Sequence, residues 1–172
     1  PVKLKENIVG VTKHLRKKVI AAGGDPERET LNIIPSVTGQ SYYRTEEGDY
    51  WRCYIFIENA KTYDTVFNIE HFRSAGYAVG RFQELLSDYP AATLYETIPD
   101  FHNTVKRYEN FIKAVEMDSC NRAAGVKDEI DFVIKRSEET KIIINLLAKG
   151  DLPLSVTHND TKFNNVMIDD ES

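Results

Sequence analysis

Residues 152–168 read LPLSVTHNDTKFNNVMI. Apolar residues bound this stretch on both sides, and the segment between them, HNDTKFNN at 158–165, is almost entirely polar. Polar loops carried by a rigid scaffold are common places for catalytic and binding groups. We therefore expect a short buried strand over 152–157, a second short strand over 166–168, and the chemistry of the chain on the loop between them.

Four side chains of this loop suit phosphoryl transfer. The carboxylate of Asp160 could accept the proton of an attacking hydroxyl group. The ammonium of Lys162 could neutralise charge on the moving phosphoryl oxygens, and the carboxamide oxygen of Asn165 could bind Mg²⁺. For His158 we expect a structural role, with a hydrogen bond that holds the loop.

The order of these residues also resembles a known motif. Residues 158–165 match the spacing of the protein-kinase catalytic loop, H-R-D-L-K-x-x-N, with Asn159 in place of its arginine. Loss of that arginine resembles the aminoglycoside phosphotransferase and choline-kinase branch of kinase-like enzymes. Residues 152–167, with ENIVG at 6–10 and YETIPDFH at 95–102, look most like the bacterial N-acetylhexosamine 1-kinases of that superfamily.

The resemblance implies an ATP-dependent and Mg²⁺-dependent enzyme. It would phosphorylate the anomeric hydroxyl of N-acetylglucosamine or N-acetylgalactosamine to give the sugar 1-phosphate. In such an enzyme Asp160 is the base, Asn165 is a metal ligand and Lys162 faces the γ-phosphate. An aminoglycoside or a choline-like molecule is the alternative acceptor, and a non-catalytic nucleotide-binding module is the alternative class.

Two further contacts with ligands are expected. The resemblance implies that adenine meets the backbone of three hinge residues, which are Glu58, Asn59 and Ala60. His102 is a candidate for contact with the sugar, although a histidine in such a place is more often a surface residue. Glu6 is one candidate for the acidic partner of a phosphate-binding lysine.

The rest of the sequence predicts an α+β chain with part of a protein-kinase-like fold. Apolar residues recur every three or four positions over 4–19, 69–86, 105–115 and 126–147, which predicts helices. The last of these could be kinked or divided at 137–140 and ends at Gly150. Residues 30–57 are rich in β-forming residues. We expect a partial N-terminal lobe over 1–60, with one helix and an antiparallel sheet, and a mostly helical partial C-terminal lobe over 61–172.

The kinase-like interpretation leaves several parts outside the sequence. A phosphate-covering loop and a basic strand residue would precede the first helix, and a second metal-binding aspartate would lie past Ser172. Asp169 and Asp170 stand too close to Asn165 to take that role. We therefore expect these 172 residues alone to lack appreciable turnover. An exposed edge of the incomplete sheet could pair with another copy of the chain.

Composition excludes several classes of function. Lys and Arg number 22 against 27 Asp and Glu, a net charge of −5, which argues against a basic nucleic-acid groove and a polybasic membrane surface. No apolar run approaches a membrane span. Cys53 and Cys120 lack metal-ligand spacing, and neither begins the C-x-P-x-R motif of a sulfatase, so a mucin-desulfating activity is disfavoured. We expect reduced thiols, a core position for Cys53, and a cytoplasmic protein that binds ATP and a sugar.

Two further patterns have alternative interpretations. The tyrosines and tryptophan at 42, 43, 50, 51 and 54 could stack on a sugar or a base, but sheet packing is favoured. Basic residues at 13, 14 and 16–18 could bind phosphate, but a solvated helix face is favoured.

Overall fold

The structure, a computed structural model, describes residues 2–169 and has an α+β architecture. About half of it is helical, and the strands form small antiparallel sheets. The helices are α1 (Val2–Ala21), α2 (Pro26–Glu29), α3 (Ile69–Leu85), α4 (Thr104–Met117), α5 (Lys127–Ile134) and α6 (Ile142–Lys149). The strands are β1 (Ile33–Ile34), β2 (Tyr43–Arg44), β3 (Tyr50–Trp51), β4 (Cys53–Tyr54), β5 (Ala60–Lys61) and β6 (Ile168–Asp169).

The predicted helices are confirmed, and local signals set their ends. After α1 the backbone turns at Gly23, whose φ of +75° favours glycine. The side chains of Asn68 and Asn103 accept hydrogen bonds from backbone N–H groups in the first turns of α3 and α4. A 3₁₀ turn, Ser137–Lys141, separates α5 from α6, so the expected interruption is present, and Gly150 ends α6 with a φ of +79°.

The strands form three antiparallel pairs. In the β2–β3 hairpin Tyr43 lies opposite Trp51 and Arg44 lies opposite Tyr50, and a turn at 46–48 connects the two strands. Strand β1 pairs with β4, and the N–H of Ile55 extends this ladder by donating to the carbonyl of Asn32 at 2.9 Å. Within the β-rich range 30–57, the stretch from Tyr50 to Tyr54 is divided at Arg52, because its two halves pair with different partners.

Three expectations about strands and burial are wrong. Residues 152–157 form no strand, and Pro153 has no N–H to give to a ladder. The strand after the loop is β6, which lies slightly later than 166–168 and pairs with β5, so that Ala60 faces Asp169. Cys53 is exposed rather than in the core, since the two-stranded pair that carries it leaves one face open.

The chain divides into two compact units. One contains the residues up to Tyr95 together with those from Ser155 onward, and the other is Glu96–Leu154. These units are defined by contacts within the chain, and their boundaries differ from those of the two lobes expected over 1–60 and 61–172. The lobe boundary stays a prediction. In the part of the chain that the structure describes, no helix has both the length and the apolar composition to cross a membrane.

The discontinuous unit has a small apolar core. Its buried apolar residues are Val19, Ala75, Leu86, Val156 and Ile168. Val156 precedes the polar loop and Ile168 follows it, so both ends of the loop are fixed by burial. Helices α1 and α3 supply Val19 and Ala75.

One face of α1 docks on the residues that follow α3. Gly10 allows the close approach of Tyr89, because a Cβ at Gly10 would lie 2.6 Å from the Tyr89 hydroxyl oxygen. One turn later, Nε2 of His14 lies 3.1 Å from Oδ1 of Asp88. Lys18 donates to the other carboxylate oxygen of Asp88. The contact with Lys18, assisted by that with His14, holds the pKa of Asp88 below its usual value.

We expect Asp88→Asn to weaken the folded state at neutral pH and to have less effect in acid. A carboxyl whose pKa is lowered by folding stabilises the protein above its unfolded pKa, near 4, and loses this contribution as the pH falls through the lowered value. Urea unfolding of wild type and variant between pH 7 and pH 3 measures the difference. A difference that does not narrow below about pH 4 would contradict the prediction.

Candidate functional site

The polar loop at 158–165 begins with an unusual backbone conformation. Asn159 has a φ of +60°, in the left-handed region that asparagine tolerates better than most residues. The hydroxyl of Thr157 donates to Oδ1 of Asn159 at 2.6 Å. This local turn follows the buried Val156 directly, so the residues after it leave the core abruptly. Asp160 is therefore presented at the surface on a defined backbone.

The second half of the loop is anchored by an aromatic ring. Phe163 opens a 3₁₀ turn, Phe163–Asn165, and its ring centroid lies 6.4 Å from that of Tyr63 and 6.2 Å from that of Phe72. The next residue, Asn164, donates from Nδ2 to Oδ1 of Asp64 at 3.2 Å. Residues 63–72 thus hold the turn from which Asn165 projects.

The structure brings together three of the residues that the sequence selects. Nδ2 of Asn165 donates to the backbone oxygen of Asp160 at 2.8 Å and to its Oδ2 at 2.9 Å. Nζ of Lys162 lies 3.5 Å from the other carboxylate oxygen, Oδ1. The side chains of Lys162 and Asp160 are 65% and 55% exposed. An ion pair as exposed to solvent as this one adds little to stability. The arrangement fixes the carboxylate and leaves it accessible.

The two functional groups of the Asn165 carboxamide have separate roles. Its nitrogen is used by Asp160, whereas its oxygen Oδ1 receives no hydrogen bond from any residue among 2–169. A carboxamide oxygen next to a carboxylate is suitable for Mg²⁺, which takes few protein ligands and completes its shell with water and phosphate oxygens. No group of three or more His, Cys, Asp or Glu residues suited to a metal occurs in the described chain. Asp170 lies outside the described residues.

A cleft of about 230 Å³ lies beside the carboxylate. Its walls include Ala78, Val79 and Phe82 of α3 and Asp160, Asn165 and Met167 of the loop region. The cleft therefore combines apolar side chains with the polar groups of the loop. A small polar molecule could therefore meet the carboxylate of Asp160 in this cleft.

His158 holds the loop by a different contact from the one expected. Its ring packs edge-on against Phe82, with centroids 6.1 Å apart, and it also lines the cleft. Its side chain makes no hydrogen bond to any described residue, so the expected hydrogen bond is wrong. A ring contact with an aromatic residue of α3 supplies the support instead.

The predicted hinge residues lie in the turn before β5 and at its first residue, and β5 pairs with the strand that follows the loop. Asn59 turns with a φ of +57°, and Ala60 then pairs with Asp169. Arg28 donates to the carbonyl oxygen of Glu58 at 3.2 Å and to Oδ2 of Asp169 at 2.7 Å. The Glu58 carbonyl can still accept a second hydrogen bond, since a carbonyl oxygen has two lone pairs.

The remaining candidate, His102, belongs to the other unit. Within that unit its ring lies edge-on to Phe101, with centroids 4.9 Å apart, and it is exposed. Its place on the surface leaves the expected contact with a sugar as a prediction.

Sequence reasoning did not find the residues that support the loop. Four such residues contact partners about one hundred or more positions away in the sequence: Arg28, Tyr63, Asp64 and Phe72. No local sequence pattern predicts contacts of this kind. The chain matches no known protein-family model. Any function proposed for it therefore depends on the spacing of the loop residues and on their contacts.

Proposed function

We propose that the protein is an ATP-dependent small-molecule kinase with a protein-kinase-like fold. The observation that carries the proposal is the contact of Asp160 with both Asn165 and Lys162, at the spacing typical of a kinase catalytic loop. Three residue types that phosphoryl transfer needs then lie on one short turn: a base, a cation and a carboxamide oxygen.

The order of the elements supports the same fold. A long helix, α1, is followed by antiparallel strands, then by the connecting segment at 58–60, a largely helical region, and finally the loop. Strand β6, which leaves the loop, returns to pair with β5, which follows the connecting segment. This order resembles the aminoglycoside phosphotransferase and choline-kinase superfamily.

In the proposed reaction Asp160 takes the proton from the acceptor hydroxyl. The acceptor oxygen then forms a bond to the γ-phosphorus of ATP as the bond from that phosphorus to the β,γ-bridging oxygen breaks, and ADP leaves. The two hydrogen bonds from Asn165 to Asp160 hold the carboxylate in one orientation. Mg²⁺, when bound through Oδ1 of Asn165, supplies positive charge to the phosphate groups.

In this scheme Lys162 exchanges its contact with Asp160 for one with the transferred phosphoryl group. Its ammonium lies 3.5 Å from Oδ1 of Asp160, and both side chains are well exposed. Such a pair costs little to separate. Lys162 can therefore turn from the carboxylate toward the transferred phosphoryl group when ATP is present, which leaves Asp160 free to accept a proton.

The acceptor is proposed on the resemblance to N-acetylhexosamine 1-kinases. We propose phosphorylation of N-acetylglucosamine or N-acetylgalactosamine at the anomeric hydroxyl, with ATP and Mg²⁺ as cofactors, in the cytoplasm, where ATP is available. Backbone groups of Glu58, Asn59 and Ala60 would meet adenine. His102 stays a candidate for contact with the sugar.

The test is Mg²⁺-dependent release of ADP by the product of the full-length gene. N-acetylglucosamine, N-acetylgalactosamine, choline and an aminoglycoside are offered in parallel. We expect release with the two N-acetylhexosamines alone. Release with only another acceptor would keep the kinase and overturn the substrate, whereas ATP binding without release would favour a non-catalytic nucleotide-binding module.

A further inference from the structure

Five side chains, none of them from the polar loop, form one tyrosine-lined cluster that holds three positive charges. The cluster consists of Lys5 from α1 and Tyr42, Arg44, Tyr50 and Arg52 from the β2–β3 hairpin region. Arg44 is the cross-strand partner of Tyr50, and alternate residues of a strand share a face. Tyr42 precedes β2, and its ring centroid lies 5.5 Å from that of Tyr50. Arg52 follows β3, and its positive charge acts on Lys5.

Lys5 is the most buried member of the cluster, with 8% of its surface exposed. Its Nζ lies 4.8 Å from the ring centroid of Tyr42 and 5.0 Å from that of Tyr50. Lysine is almost never buried to this extent unless an anion partners it. Yet no carboxylate or hydrogen-bond acceptor of residues 2–169 contacts Nζ, and the two ring faces are its partners.

The two arginines are similarly without acidic partners. The guanidinium carbon of Arg44 lies 5.5 Å from the Tyr50 ring centroid. Nε of Arg52 is fully buried and makes no hydrogen bond. Neither arginine forms an ion pair with any residue that the structure describes. In a chain with more acidic than basic residues, three neighbouring cations with no described carboxylate as a partner are unexpected.

The electrostatic state of Lys5 agrees with this crowding. Burial lowers the pKa of its ammonium, and the nearby positive charge of Arg52 lowers it further. A bound anion would oppose both effects, because it would neutralise the arginine and solvate the ammonium. The buried N–H of Arg52 would also gain an acceptor.

We propose that Lys5, Arg44 and Arg52 form a binding site for a phosphate group. Phosphate carries up to two negative charges and several acceptor oxygens, so it can satisfy an ammonium and two guanidinium groups together, whereas a single carboxylate brings one charge. The tyrosine rings form an apolar surround that strengthens these contacts. The site does not include Asp160 and does not depend on kinase activity.

The first experiment measures protection of Lys5 in the wild-type protein. Lysines are acetylated with acetic anhydride, with and without inorganic phosphate and in the absence of Mg²⁺, and the modified positions are identified by mass spectrometry. We expect phosphate to slow modification of Lys5 and to leave Lys17, which is exposed on the same helix, unchanged. Equal rates at Lys5 with and without phosphate would overturn the proposal.

The second experiment uses variants and thermal unfolding. Lys5→Met and Arg52→Gln should each weaken the phosphate-dependent rise in Tm, with apparent affinity lower by about tenfold or more, while Lys17→Met retains it. Lys5→Met alone should not lower Tm without phosphate, since it removes a buried cation. The site would be overturned if phosphate still raised the Tm of both Lys5→Met and Arg52→Gln. It would also be overturned if sulfate raised the Tm of wild type and of every variant as phosphate does.

Two further arms define the source of the phosphate group and separate this site from the proposed catalytic one. In the first arm, methyl phosphate replaces inorganic phosphate. Tighter binding of methyl phosphate supports the site and identifies a phosphate monoester as its ligand, whereas tighter binding of inorganic phosphate supports the site and identifies the free anion. Asp160→Asn should bind phosphate at this site as wild type does. Loss of binding in that variant would overturn a site independent of the loop.

Discussion

Asp160→Asn in the full-length protein should reduce kcat by about 100- to 10,000-fold, the usual contribution of a positioned general base. Asparagine has the same shape and still offers an oxygen to Nδ2 of Asn165, so the loop should keep its conformation. ATP affinity should be nearly unchanged, because the base acts on the acceptor. Single-turnover kinetics and nucleotide binding measure the two effects separately.

Asp151→Asn is a matched control for this change. Asp151 is exposed and precedes the loop, so the same chemical substitution there should leave turnover as it is in wild type. Turnover retained by Asp160→Asn would remove the role of base from this residue. Parallel loss of ATP binding and turnover would instead indicate that Asp160 maintains the structure of the loop.

Leu86→Ala should have the largest effect on stability. Leu86 is 1% exposed and closes the end of α3, where its N–H donates to the Phe82 carbonyl. Truncation of a buried leucine costs about 2–5 kcal/mol, since it loses apolar contacts and leaves a cavity. The discontinuous unit has few buried apolar residues, so this loss is a large part of a typical free energy of unfolding, about 5–15 kcal/mol.

Urea unfolding measured by circular dichroism gives the free energy of unfolding for wild type and variant. Leu154→Ala is the matched control, because Leu154 is 65% exposed and its truncation should cost less than about 0.5 kcal/mol. If Leu86→Ala cost no more than Leu154→Ala, the end of α3 would not be part of the core.

The sequence predicts the helices well and the strands poorly, for a physical reason. Helical periodicity and caps such as Asn68 and Gly150 are local, so they are readable from the chain itself. A short strand exists only through its partner, and the partner of β5 lies more than one hundred residues later, in β6. The division of 50–54 at Arg52 depends on the same kind of distant pairing.

The candidate site shows the same division between local and distant information. Asp160, Lys162 and Asn165 are found from their spacing, and their contacts span at most five positions. The contacts of Phe163 with Tyr63 and of Asn164 with Asp64 could not be predicted, because they connect parts of the chain that only folding brings together. The ring contact of His158 with Phe82 has the same origin.

The discontinuity of the larger unit also has a consequence for the order of events during synthesis. Residues up to Tyr95 leave the ribosome before Val156 and Ile168, which complete their core, whereas Glu96–Leu154 is continuous in sequence. The continuous unit can therefore form its local helices before Val156 and Ile168 are available to pack against the segment up to Tyr95. Because the Asp160 loop lies between Val156 and Ile168, we expect the loop to become ordered together with the packing of these two residues.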